Sequence, residues 1–178
     1  MLRTHKDSLQ KLFVLTACLA INSCHQLSFI DVPSTNQNSR IDYLVIHATS
    51  EQFEESLRLL STPNSNPVSA HYLVPALNDP SYPGENLRVY RLVDESRRAW
   101  HAGTSNWGNV SSLNDRSIGI EVVNEFNCRN LEPNPGDDQG IRVECQFPTY
   151  PESQIELLVR LINEILDRYP DIDPIDVV

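Results

Sequence analysis

Apolar residues along the chain follow two patterns that are typical of β-strands. The run Tyr43–Ala48 consists almost entirely of strand-forming residues and ends beside His47. A continuous run of this length predicts a strand that is buried on both faces. From Ser117 to Asn124, apolar residues alternate with Gly119 and Glu121, which predicts a strand with two different faces. Because ligands bind at the carboxyl ends of strands in open α/β sheets, His47 is the first candidate for a catalytic or ligand-binding residue.

Helical spacing appears in two other stretches. Phe53, Leu57 and Leu60 recur at the helical period and predict a helix over Glu51–Leu60. A longer helix is predicted over Pro151–Tyr169, with the proline in its first turn. Its expected apolar stripe comprises Ile155, Leu158, Val159, Ile162, Ile165 and Leu166.

Three further strands complete the expected fold. Ser69–Pro75 and Arg88–Val93 are predicted to be strands that pair with each other, and the residues from Ile175 resemble the start of another. A length of 178 residues suits one domain with a sizeable core. We therefore predict a single α/β domain, with a mixed central β-sheet flanked by helices over residues 41–178.

The N-terminal stretch differs in kind from the rest of the chain. Basic residues precede a nearly continuous apolar run that is too short to cross a bilayer, as in a secretory signal peptide. Small residues precede Cys18 and Cys24, and both sites resemble the bacterial lipobox. We favour residues 1–23 as a lipoprotein-type signal peptide with Cys24 as the lipidated residue, followed by a tether over 24–40. A plain cleaved signal or a short buried helix is the alternative.

Composition and the predicted export indicate which partners the protein can bind and whether its cysteines are oxidised. A net charge of -10 argues against a nucleic-acid partner, because no basic block is available to neutralise phosphates. Export through a lipoprotein signal predicts a periplasmic protein that is tethered to a membrane by its lipid. Cys128 and Cys145 flank a turn-rich segment, and in an oxidising periplasm a disulfide between them would add about 3 kcal/mol of stability.

Polar side chains on the predicted strands need an explanation. Burying an unpaired carboxylate is costly, so Glu121 requires a partner, a raised pKa or a cleft, unless it lies on an edge strand and faces water. Gly119, on the same face, leaves room for a ligand to approach. Taken alone, His47 and His71 are better explained as hydrogen-bonded core histidines than as metal ligands. His101 lies in a loop between two tryptophans, where a sugar or peptide could bind and where simple loop packing is the alternative.

Four motifs in order carry a resemblance to a known family. They are Val-Ile-His-Ala-Thr at 45–49, Val-Ser-Ala-His-Tyr-Leu-Val at 68–74, Ala-Trp-His-Ala-Gly at 99–103 and Leu-Asn-Asp-Arg-Ser-Ile-Gly-Ile-Glu at 113–121. With Tyr-Pro-Glu at 150–152, this series resembles the zinc-dependent N-acetylmuramoyl-L-alanine amidases, which are related to bacteriophage lysozyme-amidase and to peptidoglycan recognition proteins. The resemblance covers about residues 40–178. The lipoprotein-like start is similar to that of the outer-membrane-anchored members of the family, which implies a periplasmic protein that is lipid-anchored to the outer membrane.

The resemblance implies a specific reaction and a specific site. Such enzymes hydrolyse the amide between N-acetylmuramic acid and the L-alanine of peptidoglycan or muropeptides. One zinc ion, held by two histidines and an Asp or Cys, leaves a coordination position for water, while a glutamate shuttles the proton. His47 matches the first zinc ligand and Glu121 the general base. His101 and Asn114 match positions near the substrate groove and are candidate substrate-binding residues.

The chain departs from the family pattern at its end. In the family, the second histidine and the acidic or thiol ligand follow the last helix, whereas no histidine follows His101 here. We therefore expect a monomeric amidase domain that lacks its last part, binds zinc poorly and turns over slowly or not at all. A non-catalytic peptidoglycan-binding envelope lipoprotein is the alternative from another functional class. A structural envelope protein without a ligand is the third.

Overall fold

A computed structural model describes residues 27–131 and 142–178 of the chain. The chain divides into two units, residues 1–37 and residues 38–178. In the first unit, residues 27–37 are exposed and contain no helix or strand. The predicted signal peptide over 1–23 and Cys24 lie outside the described residues, so the signal and anchor remain predictions.

A four-stranded mixed sheet forms the centre of the second unit. Its strands are β1 (Tyr43–Ala48), β2 (Tyr72–Val74), β3 (Tyr90–Arg91) and β6 (Ser117–Val122). The order is β1-β6-β2-β3, with β6 parallel to both of its neighbours and β3 antiparallel to β2. The predicted α/β fold with a mixed sheet is confirmed. The predicted pairing of the second and third strands is also confirmed.

One face of the sheet packs against the long helix α2 (Glu152–Arg168). Buried sheet residues such as Leu44, Ile118 and Ile120 meet helix residues such as Leu161 and Ile165 in the larger apolar core. This burial contributes most of the helix's stability, because in proteins the packing of an amphipathic face stabilises a helix more than its intrinsic propensity does.

The predicted apolar stripe of α2 is wrong at two positions. Ile155 and Val159 are 40% and 46% exposed, while Leu157 is buried in the core. The helix therefore lies rotated from the orientation that apolar residues alone predict. Gln154 explains the difference, because its fully buried amide donates to the carbonyls of Val74 and Val123 in the sheet.

The opposite face of the sheet packs against helix α1 (Phe53–Ser61). Phe53 and Leu60 of this helix meet Leu73 and Val123 in a second, smaller core. Two side chains from the loop after β2 hold the helix start, since Asp79 accepts from the Phe53 amide at 2.9 Å. The second contact is from the Glu54 amide to Ser81, also at 2.9 Å. These contacts supply partners for amides that a helix start otherwise leaves unpaired.

Two small hairpins escape prediction from the sequence. Strands β4 (Asn106–Trp107) and β5 (Val110–Ser111) pair within the stretch that lacks a clear period. Strands β7 (Asn127–Leu131) and β8 (Arg142–Gln146) flank the segment expected to be only a loop. The disulfide between Cys128 and Cys145 joins facing residues of β7 and β8.

The last residues of the chain lie beside β1. Pro174–Asp176 forms a 3₁₀ turn, so a regular strand beginning at Ile175 is not observed. Val177 instead makes a single parallel bridge with Leu44. The Ile46 amide donates to the Val178 carbonyl at 2.7 Å, and the Val178 amide donates to the Leu44 carbonyl at 2.9 Å. Within the described ranges, no helix combines the length and apolar character that a bilayer crossing requires.

Candidate functional site

His47 and Glu121 lie side by side at the carboxyl edge of the sheet. In the parallel pairing of β1 with β6, these two residues are register partners. Since side chains alternate between the faces of a strand, register partners on neighbouring strands point to the same face. The structure therefore brings together the predicted metal ligand and the predicted general base.

Glu121 is a carboxyl group with an environment suited to proton transfer. The side chain is largely buried, and burial raises its pKa to about 7. Within residues 27–131 and 142–178, no hydrogen bond or ion pair of this carboxyl group offsets the effect of burial. A carboxyl group with a pKa near neutrality can accept a proton in one step and release it in the next.

His101 joins the site from the loop after β3. Its Nδ1 lies 3.0 Å from Nε2 of His47, and its Nε2 lies 3.1 Å from Oγ of Ser117. Burial, together with the neighbouring His47 and His71, lowers the pKa of His101 to about 3. Its predicted role in substrate binding stays a prediction. In the structure, both ring nitrogens already have partners inside the protein.

The space beside Gly119 is filled by a side chain of the protein and is not open to a ligand. A Cβ on this residue would lie only 2.3 Å from Cγ of His101. The expectation that this space admits a ligand is wrong, because the imidazole of His101 occupies it. The absence of a side chain at Gly119 lets the His101 ring pack closely against β6, within hydrogen-bonding distance of His47.

His71 and Asn114 hold the backbone on which His101 and Gly119 lie. Nδ1 of His71 accepts from the Gly119 amide at 2.9 Å, so His71 is a buried structural histidine. Oδ1 of Asn114 accepts from the amides of His101 and Ala102 at 3.1 and 2.9 Å. Asn114 is 5% exposed, and these contacts hold the loop that carries His101. Its predicted substrate contact stays a prediction.

Ser117 is the site residue that the sequence analysis missed. It is buried at the start of β6, and its hydroxyl lies between His101 and the Leu113 carbonyl. The signal was present in the spacing, because Ser117, Gly119 and Glu121 occupy alternate positions on one strand face. Trp100 and Trp107, which flank the loop, are each about half exposed. Both rings therefore expose apolar surface within six residues of His101 in the sequence.

The described residues do not supply a complete zinc site. His47 fits the role of one ligand, because an imidazole nitrogen at an open sheet edge beside a carboxyl group suits zinc. However, nowhere in residues 27–131 and 142–178 do three His, Cys, Asp or Glu side chains come together around a point that could hold a metal ion. His101 cannot serve as a second ligand in its present position, since its Nδ1 is hydrogen-bonded to His47.

Comparisons with known proteins agree with the fold and with the motifs. The family described as N-acetylmuramoyl-L-alanine amidase matches residues 37–178. The amidase AmiD of Escherichia coli is 40% identical over 130 residues, which are 73% of this chain and 41% of AmiD.

Two solved structures match with the same fold. AmpDH3 of Pseudomonas aeruginosa, in complex with anhydromuramic pentapeptide, is 41% identical with a TM-score of 0.70, over 85% of this chain and 56% of AmpDH3. E. coli AmiD, in complex with anhydro-N-acetylmuramic acid-L-Ala-D-γ-Glu-L-Lys, is 36% identical with a TM-score of 0.63, over 83% of this chain and 51% of AmiD. The chain thus spans about half the length of these relatives.

Proposed function

The chain belongs to the N-acetylmuramoyl-L-alanine amidase family, and from that premise we propose that it hydrolyses the amide between N-acetylmuramic acid and L-alanine in peptidoglycan or muropeptides. The observation that carries the proposal is the register pair of His47 and Glu121 at the carboxyl edge of the sheet. Muramyl-peptide ligands in the complexes of AmpDH3 and AmiD support the same substrate class.

Glu121 is the residue for which a chemical role follows from its environment. In its ionised form it accepts a proton from the water that attacks the carbonyl carbon of the muramyl group. The carbon–nitrogen bond then breaks, and the protonated carboxyl returns a proton to the nitrogen of L-alanine. With a pKa of about 7, Glu121 populates both its ionised and its protonated form at neutral pH.

Zinc is the cofactor that we propose for this activity, with His47 as one of its ligands. The support is the family match and the position of His47 beside Glu121. When bound, zinc would polarise the substrate carbonyl and lower the pKa of a water molecule. The other ligands of such a site are not among the described residues.

Hydrolysis and metal content can both be measured on one preparation of the full-length protein that the gene encodes. We expect release of the stem peptide from anhydromuramyl-peptide, loss of that release after dialysis against a chelator, and recovery on adding zinc. Chromatography of the products and elemental analysis of the protein check these outcomes. Sedimentation with cell walls without cleavage would instead identify a non-catalytic peptidoglycan-binding protein.

The cell envelope is the proposed location, with a lipid anchor at Cys24 and a monomeric amidase domain in the periplasm. This proposal rests on the basic and apolar pattern of the first residues and on the small residues before Cys24. Mass spectrometry of the mature N-terminus distinguishes Cys24 from Cys18 and from an unlipidated cleavage site.

A further inference from the structure

A chain of hydrogen bonds leads from the interior of the protein to His47. Oγ of Ser117 lies 2.6 Å from the Leu113 carbonyl oxygen and 3.1 Å from Nε2 of His101. Nδ1 of His101 lies 3.0 Å from Nε2 of His47. The chain therefore begins at a backbone carbonyl and ends on one nitrogen of the candidate metal ligand.

The carbonyl at the inner end fixes the direction of every proton in this chain. A carbonyl only accepts, so the single hydroxyl proton of Ser117 is donated to Leu113. Nε2 of His101 must then carry a proton and donate it to Ser117. A neutral imidazole has one N–H, so Nδ1 of His101 accepts and Nε2 of His47 donates. The 3.0 Å separation of the two facing nitrogens itself requires that one of them carries no proton.

His47 is left with one nitrogen that has no proton. In its neutral form the proton lies on Nε2, so Nδ1 keeps its lone pair. Within the part of the chain that the structure describes, Nδ1 of His47 has no hydrogen-bond partner. A free lone pair is what a metal ligand needs, and hydrogen bonding of the other ring nitrogen is how proteins set the tautomer of such a ligand.

The packing around His101 prevents the chain from rearranging. The imidazole lies against Gly119, where even a methyl group would clash with it. Asn114 holds the backbone amides of His101 and Ala102, and His71 binds the Gly119 amide on β6. The ring of His101 is thus constrained by a strand, a loop and a buried side chain at once.

We propose that Ser117 and His101 form a positioning relay that holds His47 in the Nε2–H tautomer, so that its Nδ1 is the nitrogen presented to the active site. Ser117 and His101 are positioning residues in this proposal, since they act through His47. The relay rests on the proposed function only for the identity of what Nδ1 binds.

The tautomer of His47 can be observed directly by long-range ¹H–¹⁵N correlation spectroscopy of labelled, chelator-treated protein. In the unsubstituted protein, we expect His47 to carry its proton on Nε2 and not on Nδ1. In Ser117→Ala, His101 loses the partner that fixes its proton, so His47 shifts to a mixture of tautomers. Ser56→Ala is the matched control, because Ser56 is equally buried but donates to Glu51 in a separate part of the fold.

A second pair of variants tests His101 itself. An asparagine oxygen occupies nearly the position of imidazole Nδ1, so His101→Asn keeps an acceptor for His47 and is expected to retain the Nε2–H tautomer. His101→Leu removes the acceptor and is expected to produce the mixture. A proton on Nδ1 of His47 in the unsubstituted protein would overturn the relay. So would identical His47 spectra in the unsubstituted protein, Ser117→Ala and His101→Leu.

Zinc titration of the same variants separates the relay from the proposed function. If the protein binds zinc, His101→Leu should weaken binding about 10- to 100-fold, the usual effect of losing a residue that orients a metal ligand, and His101→Asn should weaken it less. If His47 shows the expected tautomers but none of the proteins binds zinc, the relay stands and the zinc proposal fails.

Discussion

The raised pKa that suits Glu121 for proton transfer also lowers the stability of the folded protein. Its pKa in the folded protein is about 7, compared with an ordinary value of 4.5. The folded state therefore holds the proton more tightly than the unfolded chain does. For this reason, the free energy of unfolding should fall as the pH rises from about 4.5 through 7, and the full penalty applies above pH 7.

Replacing Glu121 with glutamine should stabilise the protein at alkaline pH. Glutamine is neutral at every pH, so Glu121→Gln avoids the penalty of burying a charge. We expect a gain of about 1–3 kcal/mol at pH 8 and a smaller gain at pH 5, after allowing for partial solvent access. Urea denaturation at both pH values in the presence of a chelator measures the difference. Equal gains at pH 5 and pH 8 would contradict the raised pKa.

Individual residues differ in how far the sequence revealed them. His47 and Glu121 were predictable, because each is polar in a stretch that otherwise forms a buried strand. The contact of His101 with His47 was not predictable, because it depends on how a loop without periodicity folds over β6. Gly119 was misinterpreted for the same reason, since its missing side chain accommodates a neighbour that lies far away in sequence.

At the scale of elements, helices and strands with strong periodicity were predicted closely. Strand β1 has the predicted bounds, and α2 differs from its prediction only at its ends. The two-residue strands of the β4–β5 hairpin were missed because such short segments have no measurable period. The rotation of α2 was missed because a buried polar residue, Gln154, contributes to its inner face.

Gln154 provides a test of that inner face. Its Nε2 lies 2.8 Å from the Val123 carbonyl and 3.3 Å from the Val74 carbonyl. Gln154→Leu removes the donor and leaves a buried carbonyl without it, so the free energy of unfolding should fall by about 1–3 kcal/mol. The matched control is Asn163→Leu, which removes an exposed amide from the same helix and should change stability little. Thermal and urea denaturation give both values, and equal effects would show that Gln154 does not anchor the helix.

In the domain as a whole, the sheet separates the main apolar core from the candidate site. One face carries the larger apolar core with α2, and the other carries His47, Glu121 and the smaller core with α1. This division lets the site keep polar, partly buried groups without interrupting the main core. Residues 38–178 form the unit that contains both faces, and the family match covers nearly the same residues.

The rate at which Glu121→Gln releases the stem peptide from anhydromuramyl-peptide shows whether Glu121 is the general acid–base residue. We predict a fall of about 10²- to 10⁴-fold, which is the usual contribution of a general acid–base residue. Substrate affinity should change little. Glu164→Gln makes the same chemical change on the exposed side of α2 and should keep the full rate. Cleavage by Glu121→Gln at the rate of the unsubstituted protein, or no cleavage by the unsubstituted protein at all, would contradict the account.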